Sequence, residues 1–258
     1  MPHTDQRDEN QHPDQQPGAR VHREVVSFVR RSARMNPSQQ KAWERWSPTR
    51  VVPVETRETS TSVAPQPVPD WDAIFGRHAP IVVEIGSGQG DSLVPMAKAR
   101  PEVNVVAFEV FEPSVASTLS KLAREDVDNV RIVIADGAQG LDLLFEPGQV
   151  VELWTFFADP WHKARHHKRR LVNDDLAATV VRQLAPGGHW HLATDWADYA
   201  DWMREVLDQA PGLRNVHAGS GGWAPRWDAR PLTKYERRGI EAGRDIHDLT
   251  YVVDGGDT

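Results

Sequence analysis

The sequence predicts an α/β fold: a mostly parallel, seven-stranded sheet with helices on both faces, preceded by a basic N-terminal extension. Three observations predict it. From about residue 78 onward, short apolar, β-branched runs alternate with stretches of helical spacing. The runs are almost continuously apolar, as strands buried on both faces are. Glycines and acidic residues gather where the runs end, the place where open α/β sheets bind ligands.

The elements follow in order. Residues 1–20 are rich in Gln, Asp, Pro and His without apolar periodicity, and are expected to be a disordered tail. Residues 21–50 form a basic helical extension, with Val21, Val25, Phe28 and Val29 at helical spacing among arginines and a further turn or two over 39–46. This extension either contacts RNA or covers the core. Residues 51–77 hold Pro53, Pro65, Pro67 and Pro69 with several Thr and Ser, which predicts a semi-extended linker. The main domain is expected over 78–253. Its strands are predicted at 81–85, 103–110, 130–135, 151–157 and 189–194, its helices at 91–100, 112–125, 174–184 and 197–209. Two last strands, 213–217 and 245–253, enclose a Gly/Trp/Arg-rich loop.

Composition bounds the function. Thirty Lys and Arg stand against 37 Asp and Glu, a net charge of -7. The average hides two positive patches. Between Arg20 and Arg57 nine basic residues face three acids, and from Lys163 to Arg170 five basic residues face none. The chain has no cysteine, which excludes disulfides and thiolate metal sites and suits the cytoplasm. No apolar run reaches the eighteen or so residues of a membrane span. The polar start, with Asp5, Asp8, Glu9 and Asp14, does not read as a secretory signal.

A cofactor site is expected at the first strand end, Glu84-Ile85-Gly86-Ser87-Gly88-Gln89-Gly90. Glycines at alternate positions let the backbone turn tightly and approach a ligand. A dinucleotide fingerprint would need glycine at 91, where Asp91 stands, and no Lys-Ser/Thr follows to make a triphosphate loop. An acid two residues before Gly86 instead resembles the S-adenosylmethionine loop of class I methyltransferases. Glu109 closes the second strand run, where a carboxylate can accept from both hydroxyls of a ribose. Asp136 closes the third, where an acid can face an adenine amine.

The fourth strand run leads into Phe156-Phe157-Ala158-Asp159-Pro160-Trp161-His162-Lys163-Ala164-Arg165-His166-His167-Lys168-Arg169-Arg170. This segment resembles that of the bacterial tRNA (guanine-N7)-methyltransferase family, with Ala158 where the family usually has proline. Ala193-Thr194-Asp195-Trp196 and Arg230-Pro231-Leu232-Thr233-Lys234-Tyr235-Glu236 resemble two further family segments, with Tyr235 in place of phenylalanine. The opening Ser27-Phe28-Val29-Arg30-Arg31 and Gln39-Gln40 is similar to that of the family as well. The likeness covers roughly 22–50 and 78–252.

The resemblance implies a Rossmann-like class I methyltransferase that methylates N7 of the variable-loop guanine of tRNA, position 46. S-adenosylmethionine would be the donor, S-adenosylhomocysteine the product. It assigns cofactor binding to Glu84, Gly86, Gly88, Gly90, Glu109, Asp136 and Asp159, and catalysis to Asp159. Substrate contacts fall on Lys163, Asp195, Thr233, Lys234, Tyr235 and Glu236. RNA contacts fall on Arg165, His166, His167, Lys168, Arg169 and Arg170. tRNA is the expected partner of a monomer or homodimer in the cytoplasm.

The chemistry accords with this. Guanine N7 has a free lone pair and no proton near neutral pH, so the work is positioning and electrostatics. Asp159 and Asp195 are expected to accept from guanine N1–H and its 2-amino group, fixing the ring and favouring the cation formed. The pair His166-His167 has no carboxylate or third histidine at ligand spacing, and no metal is expected. Trp161 reads equally as a stacking platform for a base or as packing. A class I methyltransferase acting on another RNA or on a non-RNA substrate is the alternative. An RNA-binding module or nuclease and a nicotinamide dehydrogenase are opposed by the three strand-end acids and by Asp91.

Overall fold

The computed structural model describes residues 34–255. The expected tail, 1–20, and the first part of the basic extension, 21–33, lie outside the described residues. The described chain opens on helix α1, Pro37–Arg50. A reciprocal cap starts it: Gln39 N donates to Asn36 Oδ1 and Asn36 N to Gln39 Oε1, both at 2.9 Å. Strand β1, Val51–Val52, follows at once. Helix α2, Trp71–Phe75, begins at the Asp70 cap and ends at Gly76 in the left-handed conformation.

The alternation then runs β2 Ile81–Ile85, α3 Leu93–Ala99, β3 Asn104–Phe108, α4 Glu112–Arg124, β4 Val130–Val133, α5 Gly137–Leu143 and β5 Val150–Phe156, with α5 a helix beyond those expected. A 3-10 turn, Ala164–Arg169, precedes α6 Asp174–Gln183, β6 Leu184–Thr194, α7 Ala197–Gln209 and β7 Leu213–Asn215. A second 3-10 turn, Ala218–Ser220, α8 Lys234–Glu241 and β8 His247–Val253 complete it.

The strand order is β1-β4-β3-β2-β5-β6-β8-β7, with β8 antiparallel to both of its neighbours and the other pairs parallel. Every residue of β2 and β3 is buried, which is why those strands read as almost continuously apolar, broken only by Glu84 and Asn104. One face packs Leu141, Leu176, Val180, Tyr199 and Met203 from α5, α6 and α7. The other packs Leu93, Met96, Val115, Leu119 and Leu122 from α3 and α4. The chain reverses its winding at β2, whose neighbours are β3 and β5. The crevice beyond the carboxyl end of β2 is therefore the ligand position that topology favours.

Three expectations need correction. The sheet has eight strands among the described residues, not seven, because Val51 and Val52 add an edge beside Ile132 and Val133. The segment 51–77, expected as a linker, is packed: Val52, Val63 and Trp71 are buried, and Trp71 Nε1 donates to Leu144 O at 2.8 Å. Val52, Val63 and Trp71 all belong to the core cluster on one face of the sheet. The loop expected between the last two strands contains α8, which is too polar for apolar periodicity to reveal. No helix among the described residues is long and apolar enough to cross a membrane.

Candidate active site

The turn after β2 carries its three glycines at positive φ, 81° at Gly86, 56° at Gly88 and 73° at Gly90. At Gly90 space is restricted too, since a Cβ would stand 2.8 Å from Thr118 Cγ2 on α4. Glu109 holds this turn from the end of β3. Gly88 N donates to its Oε2 at 2.7 Å, and the amides of Val110 and Phe111 donate to its Oε1 at 2.8 and 2.9 Å. The carboxylate is thereby fixed at the rim of the crevice.

Glu84 is buried at the end of β2. Ser92 Oγ donates to its Oε1 at 3.2 Å, while its Oε2 has no hydrogen-bond partner. Burial pushes the carboxyl up to about 8, with Ser92 opposing the shift and Glu109 adding to it. A buried carboxyl with an unused oxygen fits a cationic, hydrogen-bonding ligand group.

A cavity of about 260 Å³ is lined by Gly86, Gly88, Glu109, Asp159 and Tyr235 among others; Glu84 is not part of its lining, while its neighbour Ile85 is. The cavity brings the glycine turn, the end of β3, the loop after β5 and the start of α8 to one rim. Asp159 is exposed, and Trp161 N donates to its Oδ1 at 3.1 Å. Phe157 and Trp161 flank it at φ 53° and 46°, values bulky residues rarely adopt, so the loop carries strain on both sides of the acid.

Comparison with known proteins agrees with this geometry. A family model described as "Putative methyltransferase" matches residues 78–249. The tRNA (guanine-N(7)-)-methyltransferase of Cutibacterium acnes is 56% identical over 234 residues, spanning 91% of this chain and 85% of that protein. The enzyme of the same name from Nocardioides sp. is 48% identical, spanning 89% and 87%. The one from Pseudomonas putida strain W619 is 42% identical, spanning 90% and 92%. The chain belongs to the tRNA (guanine-N7)-methyltransferase family.

In this family member several motif residues sit elsewhere than the resemblance implied. Arg170, expected among the RNA contacts, is buried. It is 2% exposed, its Nε donates to Pro160 O at 3.0 Å, it pairs with Asp198, and it lies over the rings of Tyr199 and Trp202. It ties the loop after Asp159 to α7. Arg165 and Lys168 are exposed, as are Lys163 and His162. His166 is held below its usual range by partial desolvation and by Arg165, Arg169 and Lys163. Trp161 is buried with the Arg169 guanidinium 3.8 Å above its ring, which decides that residue in favour of packing.

Glu236 and Thr233, expected as substrate contacts, are buried and do not line the cavity. Glu236 is fully buried and pairs with Arg226 at 2.7 Å and Arg230 at 2.6 Å. Arg230 continues to Asp248 on β8 at 2.9 Å. Thr233 caps α8, with Glu236 N donating to its Oγ1 at 3.3 Å. Both hold α8 in place instead of facing the cavity. Tyr235 between them is half exposed and does line it. Asp195 is ion-paired with Arg244 at 2.7 Å.

Asp136 accepts at Oδ1 from Ala138 N and Gln139 N, at 2.9 and 3.3 Å, as the cap of α5. It is Ala135 and Gly137 on either side of it that line the cavity. Arg226, Asp248, Asp198 and Arg244 carry no signal in the sequence. Their partners lie ten to 49 residues away in the chain, and no local pattern marks such pairs. Among the described residues no group of three or more His, Asp or Glu could hold a metal ion.

Proposed function

We propose that this protein transfers the methyl group of S-adenosylmethionine to N7 of a guanine in tRNA, the variable-loop guanine at position 46. The single observation that carries the reading is the cavity in which the glycine turn, Glu109 and Asp159 share one rim, with the basic turn beginning five residues past Asp159. The family named for this reaction supports it, through relatives matched over most of their length.

The residues present fit the donor. The free oxygen of Glu84 suits its ammonium, Glu109 suits the ribose hydroxyls, and the backbone over 135–137 suits the adenine edge. When bound, S-adenosylmethionine supplies a methyl group already activated by the sulfonium charge.

The chain supplies position and field. Asp159 accepts from the guanine edge and offsets the positive charge that the purine acquires. No side chain must remove a proton, because N7 carries none. The exposed Lys163, Arg165 and Lys168 meet the phosphates beside the reacting base. The protein works in the cytoplasm, where tRNA is modified.

The test is incubation with labelled S-adenosylmethionine and unmodified tRNA, followed by chemical cleavage at 7-methylguanine. Label at the variable-loop guanine, lost when that base is changed to adenine, is the expected result. Transfer to protein or small molecules with tRNA left untouched defeats the reading.

A further inference from the structure

Asp91, the residue whose side chain excludes a dinucleotide fingerprint, stands between two lysines from two different helices. Lys121 of α4 pairs with its Oδ1 and also donates to Gln89 O at 2.8 Å. Lys234, the first residue of α8, approaches its Oδ2 at 3.4 Å and donates to Gln89 Oε1. The side chains of all three are partly buried, with 24% to 39% of their surface exposed. Desolvation alone would raise the Asp91 carboxyl, yet the two lysines together hold it below its usual range.

The consequence is mechanical. The glycine turn that cradles the donor is clamped from the α4 side by Lys121 and from the α8 side by Lys234. The next residue of α8, Tyr235, faces the cavity. α8 is itself fixed to β8 through Glu236, Arg230 and Asp248. A shift in the turn is passed to Tyr235 through one carboxylate and one ammonium, and a shift of α8 is passed back.

We propose that Asp91 and Lys234 are positioning residues that couple the two substrate sites, so that donor binding and tRNA binding strengthen each other. This rests on the methyltransferase reading above. The pair touches neither reacting atom. It acts by joining the loop under the donor to the helix beside the acceptor. Such coupling is reciprocal by necessity: the factor by which tRNA improves donor-site affinity equals the factor by which the donor-site ligand improves tRNA affinity.

The experiment measures S-adenosylhomocysteine affinity of the full chain with and without saturating unmodified tRNA, and tRNA affinity with and without S-adenosylhomocysteine. In the wild type each ligand should improve the other's affinity by about fivefold or more. In Asp91→Asn and in Lys234→Met that factor should fall close to one, and the double variant should lose no more than either single one. Lys121→Met, which cuts the link to α4 only, should weaken S-adenosylhomocysteine binding while keeping the factor. Thermal unfolding identifies a variant that fails to fold, and Lys234→Met, a change on a partly exposed side chain, then decides alone.

Independent binding of the two ligands in the wild type overturns the coupling, as does a factor unchanged in Lys234→Met. A wild type that binds S-adenosylhomocysteine yet never methylates tRNA overturns the enzymatic reading instead.

Discussion

Arg170 pairs with Asp198 across the gap between the basic turn and α7, and the arginine of this pair is the buried member. The last of the run of basic residues is thus a structural bolt, while Arg165 and Lys168 remain at the surface. Arg170→Ala should cost about 2 kcal/mol of stability, from a stranded Pro160 carbonyl and lost packing on Tyr199 and Trp202. Arg165→Ala and Lys168→Ala should leave the melting temperature unchanged and weaken tRNA binding. Each should reduce the slope of log affinity against log salt by about one. Urea unfolding and salt titrations of tRNA binding check both halves. Equal behaviour of the three variants would refute the division.

Asp159 is exposed, and its loss leaves one part-buried donor, the Trp161 amide, without its acceptor. Asp159→Ala should lower kcat by about a hundredfold, with a fall in stability of no more than about 1 kcal/mol from the freed Trp161 amide. Single-turnover methylation of tRNA measures this. Near-normal turnover would remove Asp159 from catalysis.

Glu236 neutralises two arginines, and both it and Arg230 are fully buried. Removing one member of a buried pair leaves an uncompensated charge. Glu236→Ala should therefore cost about 3 kcal/mol or more by urea unfolding. A loss of activity with stability intact would point back to direct substrate contact.

Glu84 gives a pH signature. Its carboxyl lies near 8 in the folded chain and 4.5 when unfolded. Between those values the folded state binds more protons, so this group's contribution to stability falls as pH rises through the window. Glu84→Gln should gain stability relative to the wild type from pH 5 to pH 8, and should lose about tenfold or more in S-adenosylhomocysteine affinity. A stability difference that does not vary with pH would contradict the burial argument.

His191 gives the opposite sign. Its ring is stacked on Trp227 with centroids 4.0 Å apart, and burial lowers it from 6.5 to about 4. The unfolded chain binds more protons in that interval, so stability is lost as pH falls from 6.5 toward 4. His191→Gln should flatten this part of the melting-temperature profile. Parallel profiles for the two proteins would exclude His191 as the source.

The glycine turn, the three strand-end acids and the alternation of strands and helices were legible because each is local. A turn needing positive φ selects glycine, and a doubly buried strand selects a run such as Ile81-Val82-Val83. The burial of Arg170 and Glu236 was not legible, because a basic or acidic side chain looks the same in sequence whether solvent or a distant counter-charge receives it. Val51 and Val52 were likewise invisible as a strand, since two residues hold an edge only when a neighbour such as β4 is already there.

By itself, then, the sequence determined most of the central strand–helix alternation, the glycine turn and the family, all of which depend on neighbours in the chain. Only the tertiary structure decided which motif residues face the cavity and which lock its walls. That choice is made by burial and by ion pairs such as Arg230 with Asp248 and Lys234 with Asp91, between residues up to 143 positions apart.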